Sequence, residues 1–238
     1  MFIFHGAGHT RVLVSVLGPR PSRSARLEDS ERCLLELQVT PLSGQQGPKE
    51  AELCTLLRQT LASCVVLTAH PRKVITVAVH VLADDGGAAA CAVNAAVLAF
   101  ADAGVPMRTL AGAVTLGLLL HQRKGSSGGG SSGGDPGEAL LDLCSRDESS
   151  VQAQALVVFG EDCEGAEEGG APCPLAALAA GPIPLDALQG ALEVACHAAR
   201  QVIKFQRGAL REKVARDAST NFQSVLGIQA SELTASPR

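Results

Sequence analysis

Cysteine is the residue type with the widest chemical range in this sequence, because thiols can form disulfides, bind zinc or act as nucleophiles. The chain has eight cysteines, and no two of them are spaced as Cys-x-x-Cys. The eight cysteines are at positions 33, 54, 64, 91, 144, 163, 173 and 196, and most of them lie inside apolar stretches. This pattern predicts reduced thiols in the core, and neither a disulfide framework nor a zinc site.

Histidine is the other common metal ligand, and it can carry a proton near neutral pH. His5, His9 and His121 are not spaced like a metal-binding motif, and His197 falls in a helical stretch. We expect all four to be structural or surface residues. We therefore expect neither a metal nor a cofactor.

The charge balance limits the partners that the chain can bind alone. Its formal net charge is −4. Domains that bind nucleic acid autonomously are usually basic, because contacts with phosphates supply most of their affinity. We therefore expect that any role with RNA would need help from partners.

The first half of the chain alternates predicted strands with one amphipathic helix. Apolar residues at every second position predict a strand over 12–17 that stops at Gly18-Pro19, and a second strand follows over 34–39. Helical spacing between 50 and 67 ends before Pro71, and β-branched residues predict a strand over 74–82.

The second half contains a central helix and a long closing helix. Residues 89–103 are apolar on nearly every face, which predicts a buried helix that ends at Gly104. Further strands are predicted over 110–120, 139–143 and 151–159. After Pro184, apolar residues at three- and four-residue intervals predict an amphipathic helix that extends to about residue 216.

The order of these elements predicts an α+β domain with mixed β-sheets covered by helices. A chain of 238 residues with 46% apolar residues favours a single domain, here residues 1–216. Within it we expect a flexible Gly/Ser insertion over 125–134 and an acidic loop over 160–174, followed by a tail over 217–238. No signal peptide or long apolar span is evident, which predicts a soluble intracellular protein.

One long segment resembles the ribonuclease PH family. It begins at His70-Pro71-Arg72, continues through ITVAVHVLADDGG, and ends with NAAVLAFADAGVPMRTLAGAV. TRVLVSVLGP resembles the early strand of that family. The closing helix, with Lys204-Phe205-Gln206-Arg207, is similar to that of exosome ring subunits of the ribosomal-RNA-processing protein 46 type. The resemblance implies a ribonuclease PH-like fold.

The resemblance also implies where a phosphate site would lie. Active members hold inorganic phosphate with arginines and a Gly-Ser-Arg turn at the start of the central helix. Here that turn is Gly86-Gly87-Ala88, which lacks the arginine. Gly86 and Gly87 could still favour an anion, and Arg58 and Arg72 are the remaining candidates for binding phosphate or RNA.

The same resemblance implies acidic residues at the end of a strand, where family members use them for metal binding or proton transfer. Asp142 in Leu140-Leu141-Asp142 matches the first position. Asp147 and Glu148 are both near the spacing of the second, and solvated loop acids would look the same. Any catalytic role of these three residues is vestigial if the phosphate site is lost.

The resemblance implies a subunit in a hetero-oligomeric ring with other ribonuclease PH-like exosome subunits, which meets RNA through the assembled complex. We expect a non-catalytic structural subunit that supports 3′-to-5′ RNA processing, found in the nucleus, nucleolus and cytoplasm. Two alternatives stay open at this point. One is an active 3′-to-5′ exoribonuclease, phosphorolytic or metal-dependent, and the other is an unrelated small-molecule enzyme.

Overall fold

The computed structural model describes residues 2–5, 9–21, 29–44, 47–119, 138–148, 151–161, 174–183 and 185–226. Eight strands and four α-helices occupy these ranges. The strands are β1 (Phe2–His5), β2 (Arg11–Pro21), β3 (Leu34–Thr40), β4 (Lys73–Ala83), β5 (Ala111–Leu119), β6 (Glu138–Leu141), β7 (Ala153–Gly160) and β8 (Ala176–Ala180). The helices are α1 (Pro48–Cys64), α2 (Ala88–Asp102), α3 (Ser145–Glu148) and α4 (Leu185–Leu226). The predicted α+β class is confirmed.

The first sheet is mixed, with strand order β1-β2-β4-β3. β3 runs parallel to β4, whereas β2 is antiparallel to both of its neighbours. The predicted stop of β2 at Gly18-Pro19 is wrong, because the strand continues to Pro21. A bulge between Leu17 and Arg20 absorbs the extra residue. Gly18, with φ of 135°, is needed there because a Cβ would lie 2.7 Å from the Val74 carbonyl oxygen.

The second sheet is antiparallel, with strand order β6-β5-β7-β8. The sequence analysis did not predict its edge strand β8, nor β1 as a strand of the first sheet. Both are short, and β8 consists of four alanines and a leucine, which have little intrinsic preference for strand. Their pairing with β7 and β2 is therefore set by tertiary contacts.

The predicted central helix is confirmed as α2, which has contacts with β1, β2 and β4 of the first sheet and β5 of the second. Eleven of its fifteen residues are buried. Alanines fill much of its surface, and small side chains let backbones approach closely. Burial of α2 therefore fixes its first turn relative to both sheets.

The closing helix is longer than predicted. α4 continues to Leu226, so the predicted start of a tail at residue 217 is wrong. The chain divides into two compact units, Met1–Ile203 and Lys204–Arg238. The Gly/Ser stretch over 125–134 and most of the acidic loop lie outside the described residues. No helix in the described ranges is long and apolar enough to span a membrane.

Candidate site at the start of the central helix

The turn between β4 and α2 requires glycine at two consecutive positions. Gly86 and Gly87 have φ angles of 99° and 66°, a region that other residues rarely adopt. A Cβ on Gly86 would lie 2.5 Å from the Leu143 carbonyl oxygen. The segment after β6 therefore presses directly against this turn, and the contact is possible only because the side chain is absent.

Thr10 fastens the turn to the start of β2. Its hydroxyl donates a hydrogen bond of 2.6 Å to the Gly86 carbonyl oxygen and accepts one of 3.0 Å from the Asp85 N–H. Asp84 contributes locally, because its Oδ1 accepts a hydrogen bond of 3.0 Å from the Gly86 N–H. Thr10 is almost fully buried, so these bonds are shielded from water. The first turn of α2 is thus held rigidly.

Asp142 lies beside this turn. It follows β6 with φ of 58°, a left-handed conformation that aspartate tolerates better than most residues. Its N–H donates a hydrogen bond of 2.9 Å to the Thr115 carbonyl oxygen on β5. Its Oδ1 lies 3.5 Å from the point that a Cβ on Gly87 would occupy. The structure therefore brings together Asp142, Gly86 and Gly87, as the sequence predicted.

Asp142 as a whole is exposed, but partial desolvation of its carboxyl group raises the pKa of that group above the ordinary aspartate range. Burial also raises the pKa of the Cys91 thiol to about 12, and the negative charges of Asp142 and Asp84 add to that shift. Cys91 lies in the first turn of α2, where its N–H donates to the Gly87 carbonyl oxygen. Its thiol therefore stays protonated at neutral pH and is a poor nucleophile.

Three oxygen atoms lie near the position that a side chain on Gly87 would occupy. Asp142 Oδ1, the Leu143 carbonyl oxygen and Thr115 Oγ1 lie 3.5, 3.8 and 3.8 Å from the position of a Cβ on Gly87. Thr115 Oγ1 is buried and has no hydrogen-bond partner among the described residues. Carboxylate and carbonyl oxygens only accept hydrogen bonds, so this space suits a donor group better than a phosphate.

Asp147 is engaged within its own helical turn. Its Oδ2 accepts hydrogen bonds from the Cys144 thiol at 2.9 Å and, more weakly, from the Cys144 N–H at 3.4 Å. These contacts cap α3 and do not point to a shared task with Asp142. Glu148 is the last residue of α3, and its side chain lies outside the described part of the chain.

Of the two candidate arginines, Arg72 is not brought to this turn. Arg72 precedes β4, whereas Gly86 follows it, so the length of the strand places them roughly 30 Å apart. Arg72 has φ of 60°, and its N–H donates to the Asp29 carbonyl oxygen. Arg58 lies on the exposed side of α1 and forms no hydrogen bond or ion pair with the described residues.

Thr10, Thr115 and the acidic pair Asp84-Asp85 were not identified as site residues from the sequence. Thr10 and Thr115 contribute hydroxyl groups from segments distant in sequence, which no local pattern reveals. Asp85 accepts a hydrogen bond from the His9 N–H at 3.3 Å, and this bond is the main cause that lowers the pKa of Asp85. The only signal in the sequence was the acidic dipeptide directly before the glycine turn.

The described residues contain no group of three or more His, Cys, Asp or Glu side chains that could hold a metal ion. Six cysteines lie in the described ranges, and all six are free thiols, as predicted: Cys33, Cys54, Cys64, Cys91, Cys144 and Cys196. Cys163 and Cys173 lie outside the described residues.

We predict that Asp142→Asn stabilises the fold at neutral pH. A carboxyl pKa that is higher in the folded state than in the unfolded state penalises folding once the group is ionised, and the penalty vanishes below the pKa of the unfolded state, near 4. The variant should therefore gain stability over wild type as the pH rises, which denaturant melts between pH 3.5 and 7 can measure. A gain that does not change with pH would contradict this account.

The comparisons with known proteins agree with this geometry. Residues 4–106 match the family model of the 3′ exoribonuclease family, domain 1. A rice protein named exosome complex exonuclease RRP46 homolog is 33% identical over 152 residues, which cover 64% of this chain and 57% of the relative. The mouse exosome complex component RRP41 is 38% identical over 124 residues, which cover 47% of this chain and 50% of the relative.

The match therefore spans little more than half the length of these relatives. The crystal structure of rice Rrp46 has a TM-score of 0.70 and 28% identity to this chain, and the alignment covers 86% of this chain and 85% of that one. Residues 4–106 are thus similar to domain 1 of the 3′ exoribonuclease family, and the structural match to rice Rrp46 shows that the fold is ribonuclease PH-like.

Proposed function

We propose that this chain is a non-catalytic structural subunit of an RNA exosome ring, where it supports 3′-to-5′ RNA processing and degradation. The names of the rice and mouse relatives favour the exosome. Its proposed partners are other ribonuclease PH-like subunits in a hetero-oligomeric ring. RNA would be bound by the assembled complex.

The composition of the turn before α2 is the single observation that supports a non-catalytic role. Ala88 is at the position where active family members have an arginine that binds phosphate through two parallel hydrogen bonds. The alanine side chain has no hydrogen-bond donor that could replace the guanidinium group. We infer that phosphorolysis is lost.

Exposed apolar side chains support assembly. In the edge strand β8, the last four residues are all exposed, and they comprise three alanines and Leu178. Monomeric proteins usually protect an edge strand with charges, prolines or a covering element, because unpaired backbone groups invite another chain. Leu17 of β2, Leu82 of β4 and Leu42 in the turn after β3 are also exposed. We propose that the edge of β8 belongs to a subunit interface.

One observation favours the alternative of an active exoribonuclease. Asp142 lies against the first turn of α2, and its raised pKa suits a group that exchanges a proton. Asp147 is a weaker candidate because Cys144 already donates two hydrogen bonds to it. We propose that both acids, and Glu148, are vestiges of a catalytic site.

A nuclease assay tests the non-catalytic proposal directly. Purified chain is incubated with single-stranded RNA, with and without inorganic phosphate and with and without Mg²⁺, and products are separated by chromatography. We expect no nucleoside diphosphates and no nucleoside monophosphates above the background of an Asp142→Asn preparation. Phosphate-dependent release of diphosphates that Asp142→Asn abolishes would establish the alternative.

The cellular location and the cofactor requirement of the protein follow from the same proposal. We propose that the protein works in the nucleus, nucleolus and cytoplasm, as expected for a subunit of such a complex. We further propose that it needs no cofactor of its own. Arg72, which lies away from the glycine turn, and Arg58 are proposed to contact RNA only within the assembled complex.

A further inference from the structure

The formal charge is distributed unevenly along the chain. Residues 204–238 contain six Lys or Arg and three Asp or Glu, whereas residues 1–203 contain fourteen and twenty-one, respectively. The first 203 residues therefore carry −7 and the last 35 residues carry +3, although the whole chain carries −4. The net charge of the chain thus conceals a basic segment in the second half of α4.

Three basic residues of this segment share one face of the helix. Lys204, Arg207 and Arg211 are separated by three and four residues, which places them within about 60° of one another around the helix axis. All three are exposed. They span about 10 Å along the axis. Glu212 and Asp217, the acidic residues in this part of α4, lie about 100° away from that face.

We propose that Lys204, Arg207 and Arg211 form a binding face for the phosphates of single-stranded RNA. Regularly spaced charges of one sign, on long side chains, suit a polyanion whose own charges repeat along the chain. The acidic residues 1–203 repel RNA on average, so the second half of α4 is the favoured place for such contacts. That the nucleic acid is RNA rests on the proposed function.

An exposed aromatic ring favours RNA over an acidic protein surface as the partner. Phe205 follows Lys204 directly and is 65% exposed. Proteins that bind single-stranded nucleic acid combine positive charge with aromatic rings on which bases stack. Phe205 lies about 100° around the helix axis from Lys204, so a base stacked on it would reach around α4 from the basic face. We assign Phe205 to base stacking for a strand whose phosphates contact that face.

Fluorescence anisotropy with a labelled single-stranded RNA and the full chain tests the proposal. The test variant is K204Q/R207Q/R211Q, and the matched control is R20Q/R32Q/K73Q, which removes three exposed charges from residues 1–203. Between 50 and 200 mM salt, wild type and control should lose about 20-fold more affinity than the test variant, because three phosphate contacts are missing from it. Phe205→Ala should weaken binding several-fold and leave the salt dependence unchanged.

Several results would overturn the proposal. These are equal losses in the test and control variants, no loss in the test variant, and no measurable RNA binding by wild type at 50 mM salt. A test variant that binds RNA normally but loses a protein partner or a second copy would identify an acidic protein surface instead. Circular dichroism confirms that α4 stays helical, since glutamine is a good helix former. Failure of ring assembly, measured separately, would refute the proposed function without affecting this result.

Discussion

Replacing Asn94 by leucine should lower the free energy of unfolding by roughly 2–6 kcal/mol, because two buried backbone groups would lose their partners. Asn94 is buried in α2, and its side-chain carboxamide forms hydrogen bonds with both backbone polar groups of Ala113 in β5. It donates to the Ala113 carbonyl oxygen at 3.0 Å and accepts from the Ala113 N–H at 2.8 Å. The side chain of one helix residue thereby continues a sheet ladder.

Ala113 depends on Asn94 for its hydrogen bonds because β6 is too short to pair with it. The register of β6 with β5 begins at Leu116, and the Asp142 N–H then reaches the Thr115 carbonyl oxygen. Ala113 lies beyond that point, so no residue of β6 can serve it. Leucine has the same branched arrangement of four side-chain heavy atoms as asparagine but no polar atom, and water has little access to this buried position.

Urea unfolding followed by circular dichroism measures the effect. The matched control is Gln59→Leu, which makes the same kind of change on the exposed side of α1 and should shift the free energy by less than about 0.5 kcal/mol. If Asn94→Leu were as mild as that control, the pairing between α2 and β5 would not be needed for stability.

The second large effect is expected from Gly86→Ala. Alanine there would combine an unfavourable φ of 99° with a Cβ only 2.5 Å from the Leu143 carbonyl oxygen. Backbone atoms cannot rotate away as a flexible side chain can. Strain in the left-handed region costs about 1–3 kcal/mol, and forced overpacking costs a similar amount, so we expect a loss of about 3–4 kcal/mol.

Gly104→Ala is the control for this prediction. Gly104 also has a positive φ, of 67°, but no atom lies within 4 Å of the position of its Cβ. Gly104→Ala should therefore lower the free energy of unfolding only by the cost of the positive φ, about 1 kcal/mol. Thermal melts of both variants separate strain from steric overlap. Equal losses in the two variants would mean that the segment after β6 does not press on the glycine turn.

Local patterns predicted the elements in which intrinsic preference and tertiary structure agree. β4 is rich in β-branched residues with period-two alternation, and Ile75, Val77 and Val79 are buried as expected. α2 was recognisable from its uninterrupted apolar sequence and the glycine after it. In both cases neighbouring residues in the chain already indicate which faces will be buried.

Elements that depend on distant partners were missed. β8 has little intrinsic strand preference and exists because β7 offers an open edge. Gly18-Pro19 has the composition of a turn, yet a bulge against β4 lets the strand continue. The end of α4 was placed too early because the mostly polar residues 216–221 have the composition of a helix end, although Phe222, Val225 and Leu226 resume helical spacing beyond them.

The candidate site was predictable only in part, for the same reason. The glycine turn and Asp142 were identified through resemblance to a family, and the structure places them side by side. Thr10 and Thr115 were not, because one directly precedes β2 and the other lies in β5, far apart in the sequence. Only the three-dimensional arrangement shows that oxygen atoms surround Gly87 on several sides.

Native mass spectrometry of a co-expressed complex tests the central claim most directly. The full chain is co-expressed with ribonuclease PH-like exosome subunits, purified through a tag on one of those partners, and measured intact. We expect a stoichiometric hetero-oligomer that contains this chain. An isolated chain that remains a well-behaved monomer, while the other subunits assemble without it, would contradict the assignment to an exosome ring.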